Sequence, residues 1–127
     1  MCANNAYNDW IGAQIRADLY GWVCPGNPDL AVKLVTADAQ LSHHGDGVYG
    51  AVLVAALGAL IPEFCSTDST SDKPLEQALD QALTYLPEDS ECARAAHFAR
   101  QLTADPNGSE LIRERYKDLS VVHTVNN

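Results

Sequence analysis

A chain of 127 residues that is 46% hydrophobic and 20% charged makes one compact domain, residues 1–127, with no room for a second. Its 8 basic against 17 acidic residues give a net charge of -9 spread over both halves, which repels phosphate backbones and anionic lipid and excludes nucleic acid and membrane as partners. Cys2, Cys24, Cys65 and Cys92 lie far apart without a Cys-x-x-Cys pair, and the first residues lack the basic and apolar regions of a secretory signal, so a reduced cytoplasmic setting is expected.

The apolar periodicity is helical throughout and predicts an all-α fold, a compact bundle of about six helices. The first is expected over residues 9–19, where Trp10, Ile11, Ile15 and Leu19 recur at helical spacing and Gly21 ends the pattern. Pro25 and Gly26 mark a turn. Asn27 then suits a cap and Pro28 a first helical position, opening a second helix that runs to about Ser42. After the polar loop His43-His44-Gly45-Asp46-Gly47 comes the longest apolar run, residues 48–61. At 14 residues it is shorter than the roughly 18 that cross a bilayer, so it is expected to be a buried central helix. Gly50 and Gly58 within it predict close approach of neighbouring backbones. A solvated loop is expected over 66–72, then a helix over 74–85 with Leu75, Ala78, Leu79, Ala82 and Leu83 in a stripe. Ser90 is placed to cap a fifth helix ending near Leu102, and a sixth is expected over 109–117. The apolar closing segment, 119–127, suggests part of a larger fold.

The densest polar cluster is Asp38, Ser42, His43, His44 and Asp46. A metal site is not expected there, because adjacent histidines point apart. A nucleophilic pair of Ser42 and His43 has only sequence adjacency behind it. Phosphate contact has a mechanism: Gly45 and Gly47 let a ligand approach the backbone, and a helix N-terminus follows. Asp46 opposes an anion, and the simpler structural role has His43 close the second helix while the glycines make a turn. Arg16 could clamp an anion, but an ion pair with Asp9 or Asp18 is the plainer expectation. Trp10, Tyr20 and Trp22 are expected in core or rim packing, and the cysteines as small buried apolar residues.

Three segments in order, Tyr7-Asn8-Asp9-Trp10-Ile11-Gly12-Ala13-Gln14-Ile15-Arg16-Ala17-Asp18, Pro25-Gly26-Asn27-Pro28, and Ser42-His43 through Gly47-Val48-Tyr49-Gly50, resemble the middle section of the ADP-ribosylglycohydrolase family. The closing His123-Thr124-Val125-Asn126-Asn127 is similar to a family segment that leads into a further apolar helix. The resemblance implies an all-helical enzyme that removes ADP-ribose from its acceptors with a pair of magnesium ions. It places the metal ligands in a Thr-Asp-Asp type motif ahead of the matched section and an Asp-x-Asp-Thr type motif beyond it. The chain contains neither, so no metal ligand, no magnesium cofactor and no catalytic residue is assigned.

By the same resemblance, Gly12 and Arg16 belong to a loop that lies against ADP-ribose. His43 is implied to contact phosphate or ribose, and Gly47 and Gly50 to line the helix start beside the ligand. The expectation is a truncated homologue, inactive alone. The alternatives are a non-catalytic binding module for ADP-ribose or a related nucleotide, and a protein that forms a homodimer or binds a partner through apolar surface along the third helix or the C-terminal segment.

Overall fold

A computed structural model describes residues 5–65 and 73–126. Among these, six α-helices follow one another: α1 Asp18–Trp22, α2 Pro28–Ala39, α3 Asp46–Phe64, α4 Pro74–Leu83, α5 Glu91–Gln101 and α6 Gly108–Tyr116. Short 3-10 turns at Gln14–Arg16 and Thr124–Asn126 complete the regular structure. The described residues contain no strand, only an isolated antiparallel bridge between Trp10 and His123. Cys2 and the loop expected over 66–72 lie outside the described residues.

The bundle is built around α3, which packs against α1, α2 and α4. Its inward positions are small: Ala51, Ala55, Ala56 and Ala59 are fully buried, so neighbouring helices come close to its axis. Leu60 of α3 and Val35 of α2 are the largest side chains wholly removed from water. Truncating Leu60 to alanine would cost about 2–5 kcal/mol through lost burial and the cavity left behind. α3 runs through 19 residues, longer than the apolar run because Asp46, Gly47 and Pro62 to Phe64 continue it. By length and composition it could cross a membrane, so the length argument from the sequence does not hold. Half of its most apolar stretch is buried within the bundle, as befits a core helix.

Local signals set most boundaries. The Asn27 side chain accepts from Leu30 N at 3.2 Å, with Pro28 at the first helical position. Ser90 Oγ accepts from Ala93 N at 3.2 Å at the start of α5. Tyr85 ties the end of α4 to the first turn of α2 by donating to Asp29 Oδ1 at 2.6 Å. Its phenol is pushed up to about 12, by desolvation first and then by the Asp29 carboxylate.

The first helix differs from the sequence expectation. Residues 9–13 form turns rather than helix, and α1 begins only at Asp18. The cause is pairing between distant segments: Ile11 N donates to Val122 O at 2.8 Å, and Thr124 N donates to Asp9 O at 2.8 Å. Gly21 does not end α1; it lies inside it, where a Cβ would stand 2.8 Å from Ala55 O and 2.9 Å from Gly58 Cα. The close approach expected at Gly58 is therefore the α1 crossing. Helix α2 stops at Ala39, three residues short of the expected end.

Exposed apolar side chains include Val121 in the C-terminal segment, Leu30 and Leu34 on α2, Leu75 on α4, Leu111 on α6, and the group Ile15, Leu19, Trp22 and Val23 around α1, whereas α3 carries no large exposed apolar side chain. Trp10 and Trp22 are exposed and stay out of the core, whereas Tyr20 packs against it. Cys24 and Cys92 are buried as expected, but Cys65 is exposed.

Candidate functional site

The site is assembled where the end of α2, the turn at Gly12 and the start of α3 meet. His43 follows α2, and its backbone N–H donates to Ala39 O at 2.9 Å, closing that helix. Its side chain turns inward and is only 8% exposed. The imidazole Nδ1 lies 2.7 Å from Ser42 Oγ, so the contact between these sequence neighbours does form. The opposite edge of the ring abuts Gly12, where a Cβ would stand 3.1 Å from both Cε1 and Nε2. A glycine at position 12 therefore leaves that edge its space.

Arg16 spans the same cluster from the 3-10 turn. Its guanidinium donates through Nε to Asp38 Oδ2 at 2.6 Å, through Nη1 to Gly12 O at 2.8 Å and through Nη2 to Ser42 Oγ at 3.2 Å. The ion-pair partner is thus Asp38, 22 residues away, and neither Asp9 nor Asp18. Desolvation, and after it the Arg16 charge, hold the His43 imidazole below its ordinary value, against the opposing pull of Asp38 and Asp9. Ser42 faces Nδ1 and Asp38 is taken up by Arg16, so among the described residues no hydrogen-bonded chain from acid through imidazole to hydroxyl is formed.

The start of α3 is reached through Gly45, whose φ of 55° suits glycine. The N–H groups of Gly47, Val48 and Tyr49 donate to the carbonyls of His44 and Gly45. Over Gly47 lies the backbone of Asn8 and Asp9; a Cβ there would overlap the Asn8 carbonyl oxygen. Asp46 turns away from this end, and its Oδ1 accepts from Cys92 N at 2.8 Å at the start of α5. Burial and then Asp46 push the Cys92 thiol well above the ordinary range, so it stays protonated. Gly50 packs against Thr124 Oγ1 and the Gln14 side chain, which are hydrogen-bonded to each other.

The structure therefore brings Gly12, Arg16 and His43 together, whereas Gly47 packs against Asn8 and Asp9 and Gly50 against Gln14 and Thr124. A cavity of about 350 Å³ opens beside Gly50, bordered by Leu53, Cys92, Tyr116 and Thr124, and none of the other four sequence-assigned residues lines it. Sequence reasoning missed Gln14 and Thr124 as the cover of Gly50 and Asp46 as an acceptor for the first turn of α5. These contacts join segments far apart in the chain, and no local spacing signals them.

Magnesium takes oxygen ligands in near-octahedral geometry. Among the described residues no three His, Cys, Asp or Glu side chains converge, and Asp38 and Asp46 are committed to Arg16 and Cys92.

Comparison with curated proteins and with solved structures gives no match. The family model for ADP-ribosylglycohydrolase matches residues 2–126, nearly the whole chain, including the three segments on which the sequence resemblance rests. The chain belongs to the ADP-ribosylglycohydrolase family.

Proposed function

We propose that this chain, taken by itself, is an ADP-ribosylglycohydrolase-type helical domain without hydrolytic activity. The observation that carries the proposal is the donor set: among the described residues no three His, Cys, Asp or Glu side chains converge on one point. Hydrolysis in such an enzyme needs charge stabilisation at the scissile bond, which a metal pair supplies when bound. The test is incubation of the purified chain with magnesium and an ADP-ribosylated peptide. Release of ADP-ribose above the protein-free rate overturns the proposal.

A second reading, binding of ADP-ribose or a related nucleotide, is favoured by the His43 cluster. His43 is nine-tenths buried, and its Nε2 meets no hydrogen-bond acceptor among the described residues. An oxygen-rich ligand would satisfy it. Calorimetric titration of ADP-ribose into the chain and into His43→Ala tests this: heat from the parent alone supports it, and no heat from either ends it. Self-association is proposed on the exposed apolar group Ile15, Leu19, Trp22 and Val23. A mass by light scattering equal to one chain at high concentration would exclude the homo-oligomer.

A further inference from the structure

Ser42 Oγ stands between two nitrogen partners, Arg16 Nη2 at 3.2 Å and His43 Nδ1 at 2.7 Å. The Arg16 contact has a fixed direction, because a guanidinium only donates. It is held in place by the other two arms of the fork, on Asp38 Oδ2 and Gly12 O. One lone pair of Oγ is thus taken, and the hydroxyl has a single proton to give. If His43 carried its proton on Nδ1, Oγ would accept twice and its own proton would find no acceptor among the described residues. If His43 carries it on Nε2, Oγ–H donates to Nδ1 and every contact pairs a donor with an acceptor. The second arrangement matches both contacts of the hydroxyl, and an unmade hydrogen bond beside a buried ring is costly.

We propose that Arg16 and Ser42 are positioning residues that lock neutral His43 in the tautomer protonated on Nε2, making that nitrogen a fixed donor to an oxygen of a nucleotide ligand. The ligand half of this inference rests on the nucleotide-binding reading above; the tautomer half does not. The depressed basicity of His43 agrees with a neutral ring. Gly12 contributes by absence, since a side chain there would press on the Nε2 edge. Arg16 is therefore a support for the imidazole, with its fork spent inside the protein. The acceptor class follows from the chemistry: a neutral N–H in a buried setting suits a ribose hydroxyl or a phosphate oxygen and gives nothing to a cation.

The test is nitrogen NMR of the full chain labelled in histidine, at a pH above the ordinary histidine value. The expected result is an acceptor-type Nδ1 and a protonated Nε2 for His43, lost to a tautomer mixture in Ser42→Ala and kept in Ser42→Thr, which retains the hydroxyl. Circular dichroism checks that each variant is folded. A wild-type ring protonated on Nδ1, or one whose tautomer ignores Ser42→Ala in a folded protein, overturns the lock. Titration of ADP-ribose separates the two halves. About tenfold weaker binding in Ser42→Ala, rescued in Ser42→Thr, supports the donor role. A locked tautomer with no binding ends the nucleotide reading and leaves the lock standing; binding with an unlocked ring does the reverse.

Discussion

The carbonyl of Asn8 occupies the place where a side chain on Gly47 would begin: an added Cβ would overlap the oxygen and stand 3.0 Å from the carbon. The obstacle is backbone, so no rotamer change relieves it. Asn8 O also accepts from His44 N at 3.3 Å, and the neighbouring Asp9 O accepts from Thr124 N at 2.8 Å, so the segment is held on both sides. The turn before Trp10 therefore seals the N-terminal end of α3, and Gly47 is what allows it.

Gly47→Ala is accordingly expected to destabilise the protein by about 3 kcal/mol, through displacement of residues 8–9. For a domain of this size that corresponds to a fall in Tm of roughly 10 °C. Thermal unfolding followed by circular dichroism measures it. An unchanged Tm would mean that the segment is not seated on α3.

A second pair of glycines makes an asymmetric prediction. On α1, a Cβ at Gly21 would stand 2.8 Å from Ala55 O and 2.9 Å from Gly58 Cα, both rigid backbone. On α3, a Cβ at Gly58 would meet Gly21 Cα at 3.3 Å, which a small shift relieves. Alanine gains about 1 kcal/mol over glycine inside a helix. Gly58→Ala is thus expected to be within about 1 kcal/mol of neutral, whereas Gly21→Ala costs about 2 kcal/mol net of that gain. Urea midpoints of the two variants decide it, and equal midpoints would remove the crossing from the account.

What the sequence displayed of this fold was local. The cap at Asn27, the proline at the first position of α2 and the cap at Ser90 each act within a few residues, and each is found where the spacing places it. Residues 9–13 carry an equally good helical pattern, yet their backbone groups pair with residues 122–124, more than 100 positions away. Tertiary pairing overrides propensity there, and no window on the chain contains both partners. The site divides the same way. The cluster of Asp38, Ser42 and His43 is visible because it is contiguous, whereas the partner of Arg16 is 22 residues distant, and local acids were the natural but incorrect choice. Asp46, which looked like an obstacle to an anion, is turned toward α5 by a bond to Cys92 that only the folded chain creates.

That bond makes the cysteines distinguishable. Cys92 is buried and its thiol is pushed up by desolvation and then by Asp46, so little thiolate forms near neutral pH, and it is the thiolate that reacts. Cys65 at the end of α3 is exposed. Alkylation of the native protein with iodoacetamide, read by mass spectrometry of peptides, is expected to modify Cys65 and spare Cys92 until denaturant is added. Modification of Cys92 at the same rate as Cys65 under native conditions would contradict its burial.

The His43 environment predicts how stability responds to acid. The groups facing the ring are Arg16 from the 3-10 turn, Asp38 from α2, Asp9 from the first turn and Ser42 beside it. Desolvation and then Arg16 outweigh the two carboxylates, so the folded imidazole binds its proton less readily than the unfolded one, whose ordinary value is 6.5. The unfolded chain therefore holds more protons as the pH drops through that value, and stability falls with it. The contribution is fully present above about pH 7 and is progressively lost below 6.5. Carboxylates lose their own contributions further down the scale, so the comparison that isolates His43 is the slope of unfolding free energy between pH 7.5 and 5.5, roughly the histidine window, against His43→Gln. The parent is expected to lose stability more steeply than the variant across that interval. A parent that becomes more stable on acidification would show that Asp38 and Asp9 dominate the ring and would reverse the sign of the argument.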